Sequence, residues 1–306
     1  MNQVKKGVYP TMLTPFRNGE IDYRALGQMV EFYYEGGCNG LFAVCQSSEM
    51  YNLSLKERIA LAKATLEYAD GRMDVVASGH ISESIEAQAE EIMAIWETGV
   101  KVVTLISNRF DLNNEGDDRW IENAEKVLEK IPSNIPLGFY ECPRPYKRLM
   151  SDRIIDWCIE KGRISFIKDT CCDPEVLVRR LEKTKNSDVM IFNANGQTLL
   201  HSLKHGAAGY SGIMTNFCPK IISWLCENYD KKPKEANEIS NIFSMISATE
   251  NPFYPMTGKY SLQLAGIDMT LQTRSVIDNS LPEYQRMIVC QIRELSEQLM
   301  ERYDIK

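Results

Sequence analysis

Apolar positions along this chain fall into two alternating rhythms. Short runs rich in β-branched and aromatic residues recur at Val8–Leu13, Gly40–Cys45, Met73–Ser78, Lys101–Ser107, Ile135–Tyr140, Ile164–Lys168, Val189–Asn193 and Ala208–Gly212. Their length and near-continuous hydrophobicity suit strands buried on both faces. Between them, apolar residues return every three or four positions, as in Asp22–Glu35, Ser54–Tyr68, Ser84–Thr98, Asp117–Lys130 and Ser151–Lys161. Several of these stretches open on Asp or Ser, whose side chains satisfy the first amides of a helix. Eight strand-then-helix units close a parallel sheet without leaving an edge, so the pattern predicts an α/β chain with a (β/α)₈ TIM barrel over residues 1–225.

After Asn228 the strand rhythm stops. Lys231-Lys-Pro-Lys234 leads into helical patterns near Glu235–Thr249, Tyr254–Leu264 and Pro282–Arg302. Ile239, Ile242, Met245 and Ile246 recur at helical spacing, which predicts a C-terminal helical region over residues 226–306 that packs on the barrel or on another subunit. Packing on another subunit would make the chain a homo-oligomer. No internal repeat of solenoid period and no low-complexity segment is present.

Charge narrows the partners. A formal charge of -7 leaves no basic excess to neutralise phosphates, which speaks against nucleic acid and anionic membranes and for a small metabolite. The amino-terminal stretch meets Pro10 and Pro15 before a long apolar segment develops, so no signal peptide is read, and no run reaches membrane-spanning length. Nine scattered cysteines without a C-x-x-C pair fit reduced thiols in a cytoplasm. Adjacent Cys171 and Cys172, on an extended chain, point to opposite sides and make a poor metal site. His201 and His205 lack the glutamate of H-E-x-x-H and read as packing or solvated residues, and no G-x-G-x-x-G follows an early strand. No cofactor and no metal is expected.

The segment Ser165-Phe-Ile-Lys-Asp-Thr170 carries the first chemical signal. In such barrels chemistry sits at the carboxyl ends of strands. Ile164, Phe166 and Lys168 share one face, so if Phe166 points inward the lysine amine rises just above a packed layer while Asp169 points away. Burial there disfavours the ammonium form, and the neutral amine is a nucleophile that attacks carbonyls to form Schiff bases. On composition alone such a lysine reads first as a snorkelling side chain at the barrel mouth. Tyr140 changes that reading. It ends the preceding strand in PLGFYECP, one strand-helix-strand step upstream, and parallel neighbours lie about 4.8 Å apart. A phenol beside the amine supplies the proton transfers that imine formation needs. At the end of the second strand, Gln46, Ser47 and Ser48 offer hydroxyls and turn amides that suit a carboxylate, although simple turn chemistry before the Ser54 cap explains them equally.

GVYPTMLTPF, CQSSE followed by Leu53, FYECPRP and FIKDT occur in the order and spacing of the dihydrodipicolinate synthase / N-acetylneuraminate lyase family, which the chain resembles over nearly all of its length. HGAAGYSGIMTN, with Ser211, is similar to the family's eighth-strand segment, and TGKYSLQLAG with TLQTR to its carboxyl-terminal helices. The resemblance implies a class I, Schiff-base aldolase, commonly a tetramer, binding pyruvate or another 2-oxo acid. It implies Lys168 as the imine-forming residue, Tyr140 as the proton-transfer residue, and Ser47 with the Gln46–Ser47 backbone as the carboxylate seat.

The chain departs from the family in the rest of the pocket. Gln46 replaces a hydroxyl that relays protons in the synthases, and Arg109 and Phe110 stand where synthases place a tyrosine lent across a subunit contact. An arginine expected five residues after the tyrosine falls on Pro145, beside Arg144, and acidic residues of sialic acid lyases correspond to Gly196 and Gln197. The proton relay therefore reads as broken. Arg109, Arg144 and Asn195 are the candidates for reading the second substrate, and Ser211 is a further substrate-binding candidate. The expectation is a Schiff-base aldolase or lyase that joins or splits a pyruvate-type 2-oxo acid and an aldehyde, with a polar sugar acid as one source. Two alternatives stay open: 4-hydroxy-tetrahydrodipicolinate synthase, acting on pyruvate and aspartate semialdehyde, and a non-catalytic 2-oxo acid sensor.

Overall fold

The structure, a computed structural model, describes residues 4–249, 253–276, 278 and 280–306. Residues 1–3, the start of the stretch read above as lacking a leader, lie outside the described residues.

Among the described residues eight parallel strands form one sheet: β1 (Gly7–Val8), β2 (Gly40–Phe42), β3 (Asp74–Ala77), β4 (Val102–Ile106), β5 (Leu137–Tyr140), β6 (Ile164–Asp169), β7 (Met190–Asn193) and β8 (Gly209–Tyr210). Sequence neighbours pair from β2 to β8, β8 pairs with β1, and a parallel bridge from Thr11 to Phe42 closes the ring. This is the expected TIM barrel. Several ladders are shorter than the apolar runs that announced them. Beyond Val8, Pro10 has no amide to give to a ladder, so the chain passes from strand to bridge while the Pro10 carbonyl accepts Phe42 N–H at 2.9 Å.

Helices α1 (Tyr23–Glu35), α2 (Leu55–Ala69), α3 (Ile85–Trp96), α4 (Asp117–Leu128), α5 (Asp152–Lys161), α6 (Pro174–Thr184), α7 (Leu199–Lys204) and α8 (Pro219–Asn228) alternate with the strands. The caps read from the sequence form: Asp22 accepts Ala25 N–H, Ser84 accepts Ala87 N–H, Ser151 accepts Ile154 N–H, and Ser54 with Glu57 makes a reciprocal capping box. One interruption was unanticipated. Phe16–Arg17 and Glu20–Ile21 form a small antiparallel hairpin before α1. Its turn is Asn18-Gly19, with φ of 53° and 85°, the pair that two-residue hairpins favour because both positions need positive φ.

Helices α9 (Pro233–Ser247), α10 (Met256–Leu264) and α11 (Glu283–Tyr303) complete the chain, with α9 against α7 and α8 and α11 against α8 and α10. Ile239, Phe243 and Ile246 bury the inner stripe of α9. Met245, grouped with that stripe in the sequence, lies off it and is 72% exposed. No helix among the described residues is long and apolar enough to cross a membrane.

The barrel interior has an aromatic floor. Phe166 stacks on Phe192 at 4.5 Å, Tyr9 sits 5.4 Å from Phe166 and 4.9 Å from Phe192, and the Phe42 ring meets Phe166 at 6.1 Å. All four rings are fully buried. Phe166 thus points inward as the alternation required, and Lys168 stands one inward position above it.

Candidate active site

Strands β5 and β6 end level with one another. Their register pairs Gly138 with Phe166 and Tyr140 with Lys168. Gly138 lets the strands close up, since a Cβ there would lie 2.6 Å from the Phe166 carbonyl oxygen. At the rim, Lys168 Nζ stands 4.2 Å from the centre of the Tyr140 ring and 5.8 Å from that of Phe42. Lys168 and Tyr140 are each 4% exposed. Burial pushes the Tyr140 phenol well above its ordinary pKa, with Cys142 and Cys45 adding to the effect, so its proton is held at neutral pH.

The residues that follow them face outward. Glu141 and Asp169, both fully buried, meet the Arg180 guanidinium from α6, which reaches Glu141 Oε1 at 2.8 Å and also contacts Asp169 Oδ2. Glu141 accepts Met150 N–H and Thr170 N–H, each at 2.8 Å. The sequence placed Asp169 away from Lys168. Its partner, Arg180, was not foreseen.

Above the floor lies a cavity of about 650 Å³, lined by Tyr140, Lys168, Gln46 and Ser47, with Arg144, Lys147, Asn195, Ser275 and Val276 among its walls. Ser47 is 8% exposed. Neither its hydroxyl nor the Gln46 and Ser47 amides are taken by a protein acceptor among the described residues, because the turn is closed by the next ones, Ser48 N–H to Cys45 O and Glu49 N–H to Gln46 O. A short anion fits these donors.

Other expected residues are placed differently. Ser48 is fully buried and outside the lining, its hydroxyl donating to Met12 O at 2.7 Å and contacting Ala43 O, which ties the turn to the chain beyond β1. Ser211 is also fully buried outside the lining, its N–H on Asn193 O. Arg109 does not reach the cavity, because the short helical turn Ser107–Phe110 points its guanidinium to Asn108 Oδ1 and Ile81 O, each at 3.1 Å. Phe110 stacks on His80 at 5.1 Å and meets Trp120 at 5.2 Å, buried rather than at the rim. Asn195 does line the cavity, but its Oδ1 accepts Thr198 N–H at 2.9 Å and its Nδ2 donates to Gln197 at 2.7 Å. Arg144 and Lys147 stand exposed at the mouth, and neither forms an ion pair among the described residues. Cys172 adopts a left-handed φ of 58°, so Cys171-Cys172 is not the extended pair expected. His201 and His205 lie exposed on and just after α7.

Sequence reading missed three groups at the site. Tyr51, from the turn after β2, lines the cavity and donates to Arg144 O at 2.8 Å, while its phenol lies 3.7 Å from Cys142 Sγ. The Cys142 thiol in turn donates to Gln46 Oε1 at 3.2 Å. Glu49, in left-handed backbone at φ 59°, pairs with Lys259 of α10 at 3.1 Å with both side chains at most 1% exposed. Its other oxygen accepts the N–H groups of Arg274 and Ser275 at 2.6 and 2.7 Å, which brings Ser275 and Val276 to the cavity wall. Burial lowers the Lys259 pKa to about 8 against the pull of Glu49.

Comparison with known proteins fits this geometry. The sequence profile of the Dihydrodipicolinate synthetase family matches residues 4–292. The 4-hydroxy-tetrahydrodipicolinate synthase of Methanococcus aeolicus is 25% identical over 292 residues, covering 91% of this chain and 99% of its own. That of Thermotoga neapolitana is 26% identical over 272 residues, covering 85% and 89%. Among solved structures, dihydrodipicolinate synthase from Thermotoga maritima superposes with a TM-score of 0.83 at 20% identity, covering 96% of this chain and 99% of that one. A prophage protein of the dihydrodipicolinic acid synthase family from E. coli K12, in complex with pyruvate, gives 0.82 at 18% identity, covering 96% and 98%. These superpositions speak to the fold.

Proposed function

We propose that this chain, which belongs to the Dihydrodipicolinate synthetase family, is a class I aldolase or lyase in which Lys168 forms a Schiff base with a pyruvate-type 2-oxo acid. The observation that carries the reading is the position of Lys168 Nζ, buried at the carboxyl end of β6, 4.2 Å from the Tyr140 ring centre and open to a 650 Å³ cavity.

The chemistry follows from that arrangement. The Ser47 hydroxyl with the Gln46 and Ser47 amides seats the carboxylate and presents C2 to the amine. Attack by Nζ gives a carbinolamine. Tyr140 hands a proton to its hydroxyl, the C–O bond breaks and water leaves as the imine forms. The iminium draws electrons from C3: in cleavage the C3–C4 bond breaks, its electron pair forms the enamine, and the C4 hydroxyl loses its proton as the aldehyde departs. Condensation is the reverse. Arg144 and Lys147 at the mouth favour an aldehyde that carries an acidic or polyhydroxylated group, as fragments of sugar acids do. The same reading places the chain in a cytoplasm, in keeping with nine free cysteines, and as a homo-oligomer, in keeping with exposed Met245, Tyr284 and Met287 on the C-terminal helices.

Exchange of the pyruvate methyl protons for deuterium, followed by NMR, tests the proposal without knowledge of the aldehyde. The protein should catalyse exchange and Lys168→Ala should not; bound pyruvate with no exchange would contradict it. Pyruvate release from a panel of 4-hydroxy-2-oxo acids, with aspartate semialdehyde condensation as the control reaction, then separates lyase, synthase and sensor.

A further inference from the structure

We infer that Asn108 is the positioning residue that makes the site selective for an aldehyde bearing a carboxylate, because its amide fixes the loop that presents Arg144 to the cavity; the inference rests on the function proposed above. Asn108 is fully buried in the short helical turn after β4. Its Nδ2 donates to the carbonyls of Cys142, Arg144 and Tyr146 at 3.0, 2.9 and 2.7 Å, so two N–H bonds are shared among three acceptors. Ser107 Oγ continues the series, donating to Arg148 O at 2.6 Å. Every second carbonyl from Cys142 to Arg148 is thereby held by two adjacent side chains of one turn. The loop joins no ladder, so its carbonyls need such donors, and Pro143 and Pro145 have no amide to leave unpaired. Tyr51, from the turn after β2, adds a second donor on Arg144 O at 2.8 Å.

Three cations ride on this frame. Arg148 belongs to it, pairing with Asp111 at 3.0 Å and Asp117 at 2.7 Å. Arg144 and Lys147 instead line the cavity mouth and form no ion pair among the described residues. The one carboxylate among the described lining residues is Glu49, which Lys259 already neutralises. In a chain of net charge -7 this mouth is therefore locally positive, and a ligand with a second negative charge is favoured there. The prolines on either side of Arg144 also bear on which anion fits. Phosphate sites are built largely from backbone N–H groups. Here the anion meets side chains, and the planar guanidinium fork suits a carboxylate. Arg144 follows Tyr140 by at most about 14 Å of chain, within the span of an extended substrate whose C2 is bonded to Lys168.

The test measures, in the full chain, borohydride trapping at Lys168 by pyruvate, 2-oxoadipate and 2-oxohexanoate. The last two share one chain length and differ only in the far carboxylate. Wild-type protein should half-saturate with 2-oxoadipate at about a tenth of the concentration needed for 2-oxohexanoate, the worth of one charged hydrogen-bonded contact. Arg144→Met should erase that preference. Asn108→Ala should reduce it to within about twofold, while half-saturation by pyruvate shifts less than about threefold, because Tyr140 and Lys168 are held by their own ladder. A general loosening of the fold would weaken all three acids together, so the ratio separates positioning from stability. Tyr51→Phe removes one donor on Arg144 O and leaves Asn108 in place; it should lower the preference about threefold, and it keeps the test decisive if Asn108→Ala does not fold. An undiminished preference in either variant would overturn the positioning role, and no preference in the wild type would overturn the acidic aldehyde. No pyruvate adduct in the wild type would instead sink the Schiff-base reading itself.

Discussion

Glu141 and Asp169, each one residue beyond a rim side chain of the cavity on adjacent strands, share the Arg180 guanidinium inside the protein. Because side chains alternate along a strand, a clamp on the outward pair fixes the height and twist of the inward pair, Tyr140 and Lys168. Arg180→Met leaves two buried carboxylates facing each other, and removing one partner of such a set costs about 3–5 kcal/mol. Denaturant unfolding should show that loss. Glu141 is already held above the ordinary carboxylate range by burial and by Asp169. A carboxyl raised in the folded state takes up a proton there first, so the variant should regain stability as the pH falls and lose it as the pH rises.

The Glu49–Lys259 pair joins the turn proposed to seat the carboxylate to the C-terminal helices, 210 residues away in sequence. Lys259→Met strands a buried Glu49, and Glu49→Gln strands a buried ammonium, so each alone should cost about 3–5 kcal/mol. The two changes made together should cost at least about 1 kcal/mol less than their sum, because neither charge is then left alone. Glu49→Gln should also raise KM for pyruvate, since Arg274 and Ser275 N–H lose their carboxylate. A double-mutant cycle from chemical denaturation checks the coupling, and additive losses would argue against it.

His80 gives the chain an acid limit. Its ring is fully buried, its Nε2 donates to Gln88 Oε1 at 2.6 Å, and its Nδ1 accepts Ile106 N–H at 3.2 Å, an arrangement that only the neutral imidazole satisfies. Burial lowers its pKa from 6.5 to about 4. The unfolded chain therefore binds the proton first, and stability falls as the pH drops from the ordinary value toward the lowered one, by about 3 kcal/mol in all. His80→Gln should flatten this limb in unfolding midpoints measured across that range.

Much of this was legible in the sequence, and the boundary is physical. Tyr140 and Lys168 could be paired in advance because a period of two and one strand-helix-strand step determine both face and neighbour. Arg109 could not be placed, since a single helical turn after β4 sends its guanidinium to Ile81 O and not into the cavity. Tyr51 and Cys142 meet only through the fold of two loops, 91 residues apart, so no local pattern announces them. The Asn18-Gly19 hairpin differs, for its dipeptide signal is local and present in the sequence itself.

Tyr140→Phe separates proton transfer from bond formation. The phenyl ring keeps the packing against Phe42, whose centroid is 5.5 Å away, and loses only the acid. Turnover should fall by about 10²–10⁴, the usual worth of a positioned general acid–base, while the unfolding midpoint stays near wild type. Steady-state kinetics of exchange provide the measurement.

The central claim is that one amine, that of Lys168, bonds to the substrate. Incubation with pyruvate, reduction with borohydride and peptide mass mapping test it most directly. The account predicts a single reduced pyruvyl adduct on the peptide that contains Lys168, absent from Lys168→Ala. Adducts spread over surface lysines, or a pyruvate-bound protein that yields none, would contradict it.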